Sequence, residues 1–200
     1  MENRFFYLNQ NDGTALVGFG KGPSIAVSGD NCLNQMTIFL EANRGRYVFS
    51  FFSYDLKNET EELNSCNSDN KCFPDMVLYA PCNVVRLNQD LFDWLQGEPT
   101  DDSAQFLNKL QRKDTRIEDF TKIHFETLTS KTEYIDKLNF LLDRIQQGDI
   151  YEVNYCQEFL SENVDIQSGL AFYNRLNNIT AAPFSSYMAF DAFHLFCGSP

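Results

Sequence analysis

Four stretches of the sequence carry residue types that could do chemistry. The first is GFGKGPS (Gly18–Ser24), whose closely spaced glycines would expose backbone N–H groups to a phosphate. A phosphate loop needs Gly-Lys followed by Ser or Thr at the mouth of a helix. Here Lys21 is followed by Gly22-Pro23, so the stretch reads as a turn after a strand. The second is the pair His124 and His194. Each stands alone in a run read as a strand, with no second His, Cys or acid at ligand spacing, and each reads as an ordinary strand histidine. The third is the acidic run Glu59, Glu61, Glu62. Three carboxylates could hold a divalent cation, but their spacing matches a solvated helix start, where the helix dipole favours acids. The fourth opens at Gly148 and continues through Asp149 into an alternating pattern. Tyr151, Val153, Tyr155 and Phe159 share one face, and Glu152, Asn154, Cys156 and Glu158 share the other. Covered Asn and Glu side chains without partners cost about 1–3 kcal/mol each. That polar face is therefore either solvated at a sheet surface, which composition alone slightly favours, or built to meet polar partners.

The elements that must position these groups follow from pattern and punctuation. RFFYL (Arg4–Leu8) and TALVGF (Thr14–Phe19) flank Asn-Asp-Gly, a hairpin signal with Gly13 supplying the positive φ. Asp30 is placed to cap a helix over Asn31–Ala42, with Leu33, Met36 and Leu40 on one face and Gly45 just past its end. RYVFSFFSYDL (Arg46–Leu56) is Phe-, Tyr- and Val-rich and reads as a central strand. KNETEEL reads as a short acidic helix or turn, and NSCNSDNKCFPD as a loop. MVLYAPCNVV (Met76–Val85) reads as one strand with an edge or bulge at Pro81. QGEPTDDS (Gln96–Ser103) is the linker candidate, and Asp101–Arg112 reads as a solvent-facing helix. Ser130 and Glu133 form a capping box opening a helix to Gln147, with a stripe of Tyr134, Leu138, Leu141, Leu142 and Ile145 and a stop at Gly148. A helix over Gln167–Asn177 and a hairpin of Phe184–Phe190 with Phe193–Cys197 across Asp191-Ala192 complete the chain. Helices alternating with hairpins predict an α+β fold.

Composition narrows the function classes. Two hundred residues, 43% apolar and 14% aromatic with nineteen Phe, suffice for a packed core. A net charge of −12 argues against a nucleic-acid partner, which needs a basic face. It also requires any small anionic substrate to meet locally concentrated Arg and Lys or a metal cation. Cys32, Cys66, Cys72, Cys82, Cys156 and Cys197 include no C-x-x-C pair. With no hydrophobic leader and no apolar run of membrane-spanning length, the expectation is reduced thiols, a cytoplasmic location and no membrane association. Asn58-Glu-Thr and Asn178-Ile-Thr then read as chance glycosylation patterns.

Three segments near the end, GDIYEVNYCQEF, APFSSYMAF and FCGSP, resemble in order and spacing the middle of the chorismate-utilising enzymes. The resemblance rests on Gly148-Asp149-Ile150-Tyr151-Glu152-Val153-Asn154, then Pro183-Phe184-Ser185, then Gly198-Ser199-Pro200, and extends back through SYDLKNETEEL (Ser53–Leu63) to about Arg46. Glu152 stands where the family has Gln, Thr180-Ala181 replace an Asn-Pro, and no Leu-Glu-Ser segment has a counterpart near the N-terminus.

The resemblance implies half of an anthranilate-synthase-component-I-like sandwich, a mostly antiparallel sheet with helices on one face. It implies that residues 1–200 are the N-terminal portion of such an enzyme, that the missing C-terminal half is its partner, and that this stretch alone is inactive. The similarity is greatest to aminodeoxychorismate synthase component I, which aminates chorismate for 4-aminobenzoate and folate synthesis, because Pro-Phe-Ser stands where the anthranilate branch has Pro-Tyr-Met. Anthranilate synthase component I, or a non-catalytic effector-binding module, is the alternative. By resemblance, Mg²⁺ is the cofactor, with its glutamate ligands and the catalytic lysine beyond this sequence. A glutamine amidotransferase subunit is the ammonia source. Pro183, Phe184 and Ser185 lie where the family contacts an effector, and no residue here is expected to be catalytic.

Overall fold

The computed structural model describes residues 4–61, 63, 71–88, 91–111, 123–164, 166 and 168–198. Expectations that touch Glu62, Cys66, Arg112, Gln167, Ser199 and Pro200 lie outside the described residues. The chain divides into two compact units, Met1–Arg116 with Ser168–Pro200, and Ile117–Gln167.

The first unit begins with the expected hairpin, β1 (Arg4–Asn9) and β2 (Thr14–Phe19), with Gly13 at φ 81°. Alternation along β1 sends Phe5 and Tyr7 to one side and Phe6 and Leu8 to the other, and both sides are covered. β1 lies inside a six-stranded antiparallel sheet together with β6 (Asn83–Asn88), β7 (Leu91–Gln96), β10 (Ser186–Phe190) and β11 (Phe193–Cys197), in the order β11-β10-β1-β2-β6-β7. The closing hairpin turns at Asp191, φ 53°, as the sequence predicts. One face of this sheet is covered by α3 (Asp101–Gln111) and α5 (Gly169–Thr180) through Phe106, Leu107, Leu110 and Tyr173. The other face meets a three-stranded sheet of β3 (Ser24–Val27), β5 (Met76–Tyr79) and β4 (Phe49–Phe52), ordered β3-β5-β4. The outer face of β5 is capped by α1 (Cys32–Ala42) through Cys32 and Phe39. The unit is thus an α+β sandwich of mostly antiparallel sheet, with helices on one face of the main sheet.

Several expectations are corrected here. Arg46–Leu56 contributes only β4, an edge strand, followed by a 3₁₀ turn at Tyr54–Leu56 and the short α2 (Lys57–Thr60); the central strand of that sheet is β5. Met76–Val85 is two strands in two sheets. Ala80–Cys82 carries the chain across, held by Ala80 N–H to Pro23 O and Cys82 N–H to Lys21 O. α3 is not solvent-facing: Ser103, Phe106, Leu107 and Leu110 are buried at helical spacing, a stripe that its polar majority conceals. Gln96–Ser103 is a tight connection from β7 to α3 within one unit, capped reciprocally by Thr100 and Ser103 (2.7 and 3.2 Å). On α1 the covered side is Cys32, Met36, Phe39 and Asn43, while Leu40 is exposed.

The second unit carries α4 (Lys131–Gln147) and the two-residue strands β8 (Glu126–Thr127) and β9 (Phe159–Leu160). Half of the expected capping box forms: Ser130 Oγ accepts from Glu133 N–H at 3.2 Å, while the Glu133 carboxylate pairs with Lys137 Nζ at 2.8 Å. Gly148 ends the helix in the left-handed region at φ 81°.

Candidate functional site

GFGKGPS spans the passage from β2 to β3, and its glycines serve packing. A Cβ on Gly18 would run into the Phe49 ring, and one on Gly22 into the Ala80 carbonyl. These close approaches let the two sheets cross, and the turn reading holds. His124 lies just before β8, not in a strand, and its carbonyl accepts from Ser161 Oγ at 2.7 Å. His194 lies in β11, with Nδ1 2.8 Å from the Tyr187 hydroxyl. Burial pushes the Tyr187 phenol up to about 12, so it stays protonated beside the imidazole.

Glu59 has a role that spacing did not show. Its carboxylate accepts the N–H groups of Cys32 and of Leu33 (3.0 Å), capping α1 from elsewhere in the chain. Those backbone hydrogen bonds hold it below the ordinary carboxylate range. Asn31 and Asp30 supply no side-chain cap to that helix. Among the described residues, no group of three or more His, Cys, Asp or Glu is arranged to hold a metal ion.

The Pro183-Phe184-Ser185 turn enters β10 in the first unit. Pro183 is exposed and Phe184 is 67% exposed, but Ser185 is buried. The Ser185 hydroxyl sits in a closed polar network: it donates to Asn177 Oδ1 at 2.6 Å and accepts from Asn9 Nδ2 at 2.6 Å. Tyr173 Oη lies 3.0 Å from it and accepts from Asn9 Nδ2 at 3.0 Å. Burial pushes the Tyr173 phenol up to about 12, which keeps it protonated, and with the Ser185 proton given to Asn177 the phenol is the donor between them. With one proton given and two accepted, Ser185 has no capacity left for a ligand. Sequence reading does not single out Asn9, Tyr173 or Asn177: more than 160 residues separate Asn9 from its partners, and Tyr173 and Asn177 look like ordinary positions of α5. Of the three turn residues, Pro183 and Phe184 present surface and Ser185 ties β1, α5 and β10 together.

The Gly148–Asn154 segment belongs to the second unit, so the two sets of predicted residues are not brought together within one unit. Gly148 and Asp149 finish α4: Asp149 N–H donates to Arg144 O at 3.0 Å, and its carboxylate pairs with Arg144 Nη1 at 3.0 Å. Tyr151 is 93% exposed, and Glu152 and Asn154 are exposed as well. The expected strand from Gly148 is corrected: only Phe159–Leu160 pairs, with Glu126–Thr127. Among the described residues, 152–158 alternate like a strand but have no ladder; Tyr155 stacks on Tyr134 at 5.0 Å and Gln157 Nε2 donates to the Thr129 carbonyl at 3.3 Å. Alternation specifies which side chains share a face and leaves the hydrogen-bonding neighbour undefined.

These observations define a layered antiparallel α+β scaffold whose most chemical side chains are committed to capping, turns and sheet crossing. The profile of the chorismate binding enzyme family matches residues 2–200, and the chain belongs to that family. Anthranilate synthase component 1 of Buchnera aphidicola is 25% identical over 182 residues, which is 84% of this chain and 34% of that protein. Its Vibrio cholerae counterpart is 24% identical over 170 residues, 77% of this chain and 31% of that protein. The crystal structure of anthranilate synthase component I from Streptococcus pneumoniae covers all of this chain and 51% of its own, with a TM-score of 0.61 at 15% identity. That likeness shows the fold. The chain spans about a third of the length of the curated relatives it matches.

Proposed function

We propose that this chain is the N-terminal part of an aminodeoxychorismate synthase component I, an enzyme that aminates chorismate to 4-amino-4-deoxychorismate for 4-aminobenzoate and folate synthesis. The observation that carries the reading is Ser185. The anthranilate branch has Met where this chain has Ser, and here the hydroxyl is joined to Asn177, Asn9 and Tyr173. An apolar side chain in that position would leave three polar groups short of a partner, so the Pro-Phe-Ser signature is integral to this scaffold. Chorismate, a dianion, is the proposed substrate, and a glutamine amidotransferase subunit the proposed ammonia source. Magnesium, when bound, would neutralise a substrate carboxylate, and its ligands are assigned to residues outside this chain. Pro183 and Phe184 remain the proposed effector-facing positions, and no residue here is given a catalytic role. The working location is the cytoplasm; among the described residues no helix is long and apolar enough to cross a membrane.

A second reading, anthranilate synthase component I, is favoured by the names of the curated relatives. The full-length protein, supplied with chorismate, Mg²⁺ and ammonium, separates the two. Formation of 4-aminobenzoate that requires added aminodeoxychorismate lyase is the expected result. Anthranilate fluorescence without lyase would replace the first reading with the second. Neither product, with a melting point raised by tryptophan, would identify a non-catalytic effector-binding module.

A further inference from the structure

α1 is lightly held for its length. It meets the outer face of β5 through two buried side chains, Cys32 and Phe39, with Met36 partly covered, against Met76, Leu78 and Ala80. Its outer side leaves Ile38 55% and Leu40 42% exposed. An eleven-residue helix with so few covered side chains depends on how its ends are fixed.

The N-terminal fixing comes from a separate segment. Asn31 sits at φ 79° without a side-chain cap, and the carboxylate of Glu59, carried on α2, takes the N–H groups of Cys32 and Leu33. The corner before the helix is held by Asp75, which accepts from Gly29 N–H at 2.8 Å. Asp75 in turn anchors the foot of the α2 segment, accepting from Ser53 Oγ at 2.9 Å and from Ser53 N–H at 2.8 Å through its carbonyl. Residues 53–60 thus form a clasp, tied to Asp75 at one end and closed on α1 by Glu59 at the other.

Beneath the clasp the core is independent of α1. Val77 and Tyr79 on the inner face of β5 pack with Phe6, Phe49, Val84 and Met188 between the two sheets, and none of these needs the helix.

We propose that α1 opens from β5 as a unit with Glu59 as its latch, uncovering Cys32 and the outer apolar face of β5 while the two-sheet core stays folded. Glu59 is a positioning residue in this device, acting through the backbone of the first helical turn. Such a unit belongs to the low-stability end of local unfolding, and its opening would present Met76, Leu78 and Ala80 reversibly. Cys32 reports the event. It is fully covered when the helix is closed, and burial together with the Glu59 charge pushes its thiol up to about 11.

The test is thiol labelling of Cys32 in the full-length protein with its other cysteines changed to serine, under native conditions and across sub-denaturing urea. Expected is a rate nearly independent of urea below the unfolding transition, raised about tenfold by Glu59→Gln, the usual consequence of losing a helix cap. A rate that follows the full urea slope of global unfolding would overturn the proposal, as would a rate unmoved by Glu59→Gln. The urea dependence of the unsubstituted latch decides the matter even if the variant fails to fold.

Discussion

The two units treat apolar side chains differently although both contain well-formed elements. In the first, Val17, Phe19, Val77, Tyr79, Val84 and Val85 are completely shielded from water between stacked layers. In the second, the seventeen-residue α4 has a sound N-cap, a left-handed glycine stop and an amphipathic stripe, yet none of its residues is buried. Phe140 and Leu142 are 58% and 47% exposed. Capping and periodicity act within a few residues, and they produced both units equally well. Burial depends on a second surface, and among the described residues only the first unit has one throughout.

The largest expected effect is therefore in the first unit. Phe19 packs between Phe106, at 4.9 Å between ring centroids, and Trp94, at 6.3 Å. Phe19→Ala should cost about 3–5 kcal/mol by urea unfolding. Leu138→Ala, on the half-covered stripe of α4, should cost under about 1 kcal/mol. Equal costs would dissolve the distinction between the units.

Ser185→Ala sharpens the comparison from the polar side. It would remove the acceptor for Asn9 and Tyr173 and the donor to Asn177 while the surrounding helix and strands keep them covered. The expected loss is about 1–3 kcal/mol in thermal unfolding. An unchanged midpoint would mean that water reaches the network and that the turn is open to ligands.

Legibility of the sequence divides along the same line. The β1–β2 hairpin, the Ser130 cap, the Gly148 stop and the β10–β11 hairpin all depend on neighbours within a turn or two, and all form as read. The strand expected from Gly148 and the solvent-facing α3 fail for opposite reasons. The first has a strand's alternation without a ladder partner beyond Phe159–Leu160. The second hides four buried positions among charged neighbours. Met76–Val85 looks continuous because both of its halves are apolar, and the crossing at Pro81 becomes visible only when each half joins its own sheet. At the candidate sites, family resemblance located Pro183-Phe184-Ser185. Asn9, one partner of Ser185, and the helix that Glu59 caps lie too far away in sequence for spacing to reveal them, while Tyr173 and Asn177 lie within α5 and meet Ser185 only once that helix is packed.

The smallest expected effect bears most directly on the contrast. Leu142 sits on the α4 stripe, and a residue half open to water loses little when it becomes polar. Leu142→Gln should change stability by less than about 0.5 kcal/mol, because glutamine keeps good helix propensity and no cavity is created. Amide hydrogen exchange along α4 gives the local reading, and protection factors for Leu138 to Ile145 should stay within a few-fold of the unsubstituted protein. A loss above about 2 kcal/mol is the size expected of a buried leucine and would show the stripe to be covered in solution. α4 would then belong with the core elements of the first unit, and the contrast between the two units would reduce to one of strand pairing alone.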